Sequence, residues 1–250
     1  MTRVDELIDA TFRAEQEHFW FRGFRRFVVP AIERVASGRR DLRILDCGCG
    51  TGANLALLAP YGRTFGFDLN ALGLGFARRS GHARVARASI GAIPFPDAAF
   101  DLVTSFDVWQ TLPRPVEAAA PREMFRVLRP GGSMVVNVAA LALLHGNHSV
   151  LSEEQQRYTR GRLRHLVEGT GFHVERITFT NFSLFPLMLA VRALQRAAGL
   201  KPPEEARGEI TVPPRAVNAL LSGILAAEAA VVRHVNMPVG SSLLCVARKP

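Results

Sequence analysis

Three glycines in five residues, Gly48, Gly50 and Gly52, follow an apolar run and constrain what the chain can become. Leu42 to Asp46 reads as a short buried strand and Ala53 to Ala59 as a helix, so the glycines mark a tight strand-to-helix turn. Glycine takes positive φ without a Cβ penalty and lets a ligand lie against bare backbone at a helix N-terminus. Such a turn is expected at a nucleotide site in an open α/β sheet. The spacing Gly48-x-Gly50-x-x-Ala53 fits the looser dinucleotide fingerprint, and Asp68 ends the next strand about where a ribose-binding carboxylate is expected. The glycines alone do not choose the nucleotide.

Asp46 favours one choice. A carboxylate just ahead of the turn repels a pyrophosphate and attracts a ligand carrying an ammonium and a sulfonium. S-Adenosylmethionine carries both, so it is preferred to a nicotinamide dinucleotide. For Asp68 the alternative to a ribose contact is an N-cap of the following helix, made with the same oxygens.

With 250 residues, 48% of them hydrophobic, the chain can bury one full core with an elaboration. Its net charge of +9 is almost wholly arginine, since Lys201 and Lys249 are the only lysines. Such a field suits an acidic substrate, an anionic membrane or nucleic acid. The arginines are scattered rather than set in one aromatic-interleaved stripe, so no nucleic-acid partner is expected. Cys47, Cys49 and Cys245 give neither a disulfide framework nor zinc spacing, which fits a reducing compartment. Asp5, Glu6 and Asp9 do not suit a signal peptide, and Pro186, Arg192 and Glu228 interrupt the apolar runs too early for a membrane span. The expected location is the cytoplasm, with the inner membrane face as a peripheral site.

Residues 3 to 37 read as largely helical, with Trp20, Phe24 and Phe27 on one face. They either pack on the sheet, or Trp20 with Arg22 or Arg25 closes over the cofactor by stacking and carboxylate pairing. Strands are expected at Thr64 to Asp68, Ala83 to Arg87, Phe100 to Thr104, Ser133 to Val138, His173 to Phe179 and Ser241 to Ala247, with helices at Ala71 to Arg79 and Val116 to Leu128. The alternation argues for a doubly wound α/β sheet.

Ile44 to Gly52, Phe67-Asp68, Ile93-Pro94-Phe95-Pro96-Asp97 with Phe100-Asp101-Leu102-Val103, and Leu128-Arg129-Pro130-Gly131-Gly132 together resemble a class I S-adenosylmethionine-dependent methyltransferase of the small-molecule group called type 11. The resemblance covers roughly residues 40 to 138. It implies a Rossmann-like seven-stranded sheet of order 3-2-1-4-5-7-6 with strand 7 antiparallel. It further implies that Asp46, Gly48, Cys49 and Gly50 hold the methionine end, Asp68 the ribose hydroxyls and Leu69 the adenine face. Phe106 would lie beside the methionine moiety. Ser89, with Ile90 beside it, stands where relatives usually have an aspartate for the adenine amino group, and a serine oxygen can accept there too. Gln110 stands where relatives often have histidine.

The domain plan is a helical cap over 1–40, a cofactor-binding core over 41–181, an apolar helical insertion or lid over 182–238 and a closing strand over 239–250. Leu151 to Thr170 reads as helical, after an active-site loop His145-Gly146-Asn147-His148-Ser149. His145 and His148 are candidate general bases rather than metal ligands, because no third ligand is near in sequence. Tyr158 either orients substrate or packs a helix. The insertion joins an apolar stretch, Phe182 to Val191, through the Pro-rich linker Lys201 to Pro214, to a helix from about Arg215 to His234. It reads as a packed lid, a dimer interface or an interfacial anchor toward a lipid-like substrate, leaving monomer and homodimer both open.

The expected function is methyl transfer from S-adenosylmethionine to a small hydrophobic or amphipathic acceptor, with oxygen slightly preferred over nitrogen or carbon. The rival readings are a non-catalytic cofactor-binding protein and an NAD(P)-dependent reductase.

Overall fold

The computed structural model describes residues 3–200 and 210–250. Helices α1 (Arg3–Ala14) and α2 (Phe19–Ala36) precede β1 (Leu42–Cys47), α3 (Ala53–Leu58), β2 (Gly62–Asp68), α4 (Ala71–Arg79) and β3 (Val85–Arg87). Then follow β4 (Phe100–Phe106), α5 (Arg114–Val127), β5 (Leu128–Ala139), α6 (Asn147–Leu151), α7 (Arg160–Glu168), β6 (His173–Thr180), α8 (Phe185–Ala197), α9 (Arg215–Val232) and β7 (Ser242–Arg248). Of the expected linker Lys201 to Pro214, residues 201–209 lie outside the described residues.

The seven strands form one sheet of order β3-β2-β1-β4-β5-β7-β6, as the resemblance implies. β1 through β5 pair in parallel, and β7 is antiparallel to both β5 and β6. Alternate residues of the central strands supply two cores, as expected of strands covered on both faces. Ile44, Leu102, Val135 and Val246 meet Val28, Ile32 and Ala36 of α2 on one face. Leu45, Val103, Val136 and Cys245 meet Met124, Val127, Leu163 and Val167 of α5 and α7 on the other.

Two departures from the sequence reading have physical causes. The helix expected over Leu151 to Thr170 is interrupted, because Tyr158 runs extended beside the end of β5. Its N–H donates to Ala139 O at 2.9 Å, and its carbonyl accepts from Leu141 N at 2.9 Å. The helix restarts at Arg160, where the Thr159 hydroxyl accepts from Arg162 N at 3.2 Å. In addition, α9 is long and apolar enough to cross a membrane by length and composition alone, whereas the sequence reading took Glu228 as an interruption. Glu228 faces inward, and its carboxylate accepts from Phe182 N at 2.8 Å and Ser183 N at 2.9 Å.

Candidate functional site

A cavity of about 830 Å³ opens at the C-terminal ends of the parallel strands, where strand order reverses between β1 and β4. The turns after β1, β2, β3 and β4 form one half of it. The other half is walled by α6, α8, α9 and the segment leading into β7. The α1–α2 pair closes the side. This volume lies near the top of the about 300–1,000 Å³ typical of small-molecule sites, so an acceptor has room beside an adenosyl cofactor.

Gly48 and Gly50 serve different purposes. Gly48, at φ 82°, backs onto the loop after β4, where an added Cβ would come within 2.3 Å of Val108 Cγ2. Gly50, at φ 49°, faces open space on the cavity wall, so bare backbone is presented to a ligand. Phe67 O accepts from Gly48 N at 2.8 Å and from Cys49 N at 2.9 Å, tying the turn to β2. Cys49 is buried, and burial raises its thiol well above the usual range.

Asp68 completes this clasp. Its Oδ2 accepts from Gly50 N at 2.8 Å and its Oδ1 from Asn70 N at 2.8 Å. The N-cap role belongs instead to Asn70, whose Oδ1 accepts from Gly73 N at 2.8 Å. Burial raises the Asp68 carboxyl and the backbone donors oppose the rise, leaving a carboxylate with free lone pairs on the cavity wall. Asp46 is placed differently. It is fully buried and off the wall, with Oδ1 accepting from Thr104 Oγ1 at 2.7 Å and Oδ2 without a partner. Burial, with a smaller push from Asp68, raises its carboxyl to about 7 against the Thr104 bond. Asp46 therefore has no surface on the cavity.

Leu69 is exposed on the wall, opposite Ser89 and the buried Ile90 that follow β3. The Ser89 hydroxyl accepts from Gly91 N at 3.2 Å. Phe106 is buried at the end of β4, edge-on to Phe24 with ring centroids 5.2 Å apart. Gln110 is buried on the wall, and its side-chain oxygen accepts from Ala139 N at 3.4 Å. Trp20 and Arg25 line the cavity; Arg22 is exposed and does not, so of the two arginines weighed only Arg25 reaches it.

The structure also brings in residues that the sequence reading left out. Glu15, between α1 and α2, accepts from the Thr51 hydroxyl at 2.6 Å and so fastens the N-terminal helices to the glycine turn. Burial raises its carboxyl. His18 caps α2 by accepting from Trp20 N at 3.1 Å, and burial lowers its pKa. Asp107, just after β4, takes φ 57° and faces the cavity. Asn137 Nδ2 donates to its Oδ1 at 2.8 Å, and the surrounding protein raises its carboxyl to about 6 despite bonds from Asn137 and Gln110. A non-glycine residue held at positive φ is a recognised sign of a working site. Glu154 and Arg157, also on the wall, form a buried ion pair with contacts of 2.8 and 3.1 Å.

Of the three candidate catalytic side chains, only His148 lines the cavity. His145 stands outside the wall, its carbonyl accepting from Arg196. Tyr158 is wholly buried away from the cavity. Its hydroxyl lies 2.6 Å from Glu117 Oε1 and 3.2 Å from Trp109 O. Burial and Glu117 push its pKa far up, and Arg162 holds Glu117 at 2.6 and 2.8 Å from the other side. Tyr158 is thus a core hydrogen-bonding residue.

The cofactor half fits S-adenosylmethionine on its own chemistry. It offers backbone without side chain at Gly50, a carboxylate with free lone pairs at Asp68, an apolar face at Leu69 and Ile90, and no cation on the turn that would call for a polyphosphate.

Comparison with known proteins agrees with this geometry. Residues 45–136 match the family model described as a methyltransferase domain. A protein of Mycolicibacterium smegmatis named as a probable S-adenosylmethionine-dependent methyltransferase is 31% identical over 164 residues, 64% of this chain and 62% of that protein. The demethylmenaquinone methyltransferase of Thermus thermophilus is 38% identical over 121 residues, 45% of this chain and 51% of that one. The chain thus spans between half and two thirds of these relatives' length. An S-adenosylmethionine-dependent methyltransferase structure from Mesorhizobium loti superposes with a TM-score of 0.56 at 19% identity, covering 88% of this chain and 96% of that one, a likeness of fold.

Proposed function

We propose, from the match of residues 45–136 to a methyltransferase domain, that the protein transfers a methyl group from S-adenosylmethionine to a small amphipathic acceptor. The observation that carries this reading is the Gly50–Asp68 clasp, a 2.8 Å hydrogen bond that fixes bare backbone and a carboxylate side by side on one wall of a cavity with space to spare. Asp68 would hold the ribose hydroxyls, Leu69 and Ile90 the adenine face, Ser89 its amino group, and Gly48 to Gly50 the methionine end. When bound, the cofactor supplies an electrophilic methyl group.

The chain's own residues align the acceptor and remove its proton. The acceptor half mixes Leu184, Leu187 and Met188 with Asp107, His148 and the Glu154–Arg157 pair, which suits an apolar body with a polar reacting end. Asp107 would hold the proton given up by the acceptor's reacting group, and His148 flanks the same space. A base so placed serves any acceptor that arrives protonated, and oxygen is the preferred acceptor atom in this reading. A relative named for demethylmenaquinone supports an amphipathic ring compound. Purified protein incubated with methyl-labelled S-adenosylmethionine and a cell extract is expected to place label in an organic-soluble product. Calorimetric binding of the cofactor with no labelled product would leave a non-catalytic binder. No binding heat at all would remove the reading.

A further inference from the structure

Helix α9 turns a mixed face inward and an apolar face outward. Asn218, Ser222 and Glu228 are buried together with Leu225, Ala229 and Val232, while Leu220 is 65% and Val231 50% exposed. Two of these polar groups fasten the helix, and the Ser222 hydroxyl is buried without a partner. Asn218 Oδ1 accepts from Phe19 N at 2.8 Å and its Nδ2 donates to Glu17 O at 2.8 Å, while Glu228 receives Phe182 N and Ser183 N. Between the terminal Arg215 and Val232 its exposed positions are Ala, Val, Leu and Gly only. α8 repeats the arrangement, with no fully buried residue, Leu187 59% and Leu194 69% exposed, and Arg192 and Gln195 on the half-covered side. A helix facing water has the opposite pattern. Both helices border the same cavity, through Leu187 and Met188 on α8 and Leu221 on α9, so their bare faces flank its mouth.

We infer that these two faces seat the protein on an anionic lipid bilayer. Charge favours that occupant. Across 182–200 and 210–235 the only acidic residue is the inward-facing Glu228, and Arg192, Arg196, Arg215 and Arg233 stand beside the apolar faces; the sequence between them carries Glu204, Glu205 and Glu209 against Lys201 and Arg207, so the stretch 182–235 stays net positive. Cations beside an exposed apolar face are the pattern of an interfacial helix, with each arginine near an anionic surface adding attraction. The buried Asn218 and Glu228 keep α9 attached to the body of the protein, so it lies in the interface rather than across it. Docking rests on this geometry alone; that the bilayer delivers the acceptor rests on the methyl-transfer reading.

The test is co-sedimentation of the full chain with phosphatidylcholine vesicles, with and without phosphatidylglycerol, beside size-exclusion chromatography and cofactor calorimetry. The expected result is binding that needs phosphatidylglycerol, weakens with salt and falls about tenfold or more in L194E/L220E, since two exposed leucines leave the lipid. Cofactor affinity of that variant should equal wild type, which shows it folded. Absence of vesicle binding overturns the proposal, as does a dimer that L194E/L220E converts to monomer, which would assign the face to a second copy. Vesicle binding without any cofactor heat would sink the proposed function and leave the docking surface standing.

Discussion

Asp46→Asn separates the charge of the buried carboxylate from its shape. In the ligand-free protein the Asp46 carboxyl is raised from 3.8 to about 7 by burial, with its Oδ2 unpaired. A shift of about 3 pKa units corresponds to about 4 kcal/mol at about 1.4 kcal/mol per unit. A raised acid stabilises the fold fully below its unfolded pKa and loses that contribution as pH rises through the folded value. Wild-type stability from this group is therefore greatest near pH 4 and is lost by about pH 8. Asn keeps the bond from Thr104 and carries no charge at any pH. Thermal melts of the ligand-free proteins should coincide near pH 4 and separate at pH 8.5, the variant melting on the order of 10 °C higher for a chain of this size.

Binding should move the other way. A cation about 8 Å from the carboxylate, at an effective dielectric of about 20, gains about 2 kcal/mol, so Asp46→Asn should weaken S-adenosylmethionine about thirtyfold. Because a bound cation lowers the carboxyl, wild-type affinity should rise with pH through about 7 and binding should release a proton. Titration calorimetry in buffers of different ionisation enthalpy reads that proton directly. A variant that binds as tightly as wild type, with the same proton release, would refute the electrostatic argument and leave the carboxylate a passive part of the strand.

Other substitutions test separate parts of the site. Asp107→Asn should abolish the rise of kcat/KM with pH through about 6 and lower kcat about a hundredfold, with cofactor affinity little changed. Gly50→Ala meets open space but sits at φ 49°, so it should cost about 1–2 kcal/mol in a melt yet block the cofactor in calorimetry. Gly48→Ala, with 2.3 Å to Val108, should instead lower stability first. Tyr158→Phe removes one bond to Glu117, which Arg162 still holds, so it should cost about 1–2 kcal/mol by denaturant melt and leave cofactor affinity unchanged.

The sheet was legible, and most of the residues proposed for the cofactor converge on one cavity, because the information there is local. Gly48, Gly50 and Asp68 act through backbone conformation and through hydrogen bonds to neighbours on adjoining turns, so their roles travel with short motifs. Strand boundaries shifted by a few residues and the sheet order followed the resemblance. Asp46 was legible as a charge but not as a depth, since no pattern tells that Thr104 covers one oxygen and leaves the other bare. Tyr158 misled because its partner Glu117 lies 41 positions away. Asp107 had a readable signal, the first polar side chain past the end of β4 on the ligand-binding edge, but its cavity exposure and positive φ appear only in three dimensions.

The two halves of the cavity therefore divide the work in a way that bears on specificity. Strand-end turns build the cofactor half, and any drift in them strains the sheet, as the approach of Gly48 to Val108 indicates. The proposed acceptor half is walled by α8 and α9; α9 is fastened by Asn218 and Glu228 and packs Leu225, Ala229 and Val232 into the core, whereas α8 has no fully buried residue. Acceptor preference can therefore change on α8 with little disturbance of the core or of cofactor binding. It follows that substitutions at Leu187 and Met188 should alter which acceptor is methylated while cofactor affinity stays constant, a KM effect that a lining role predicts and a purely structural one does not.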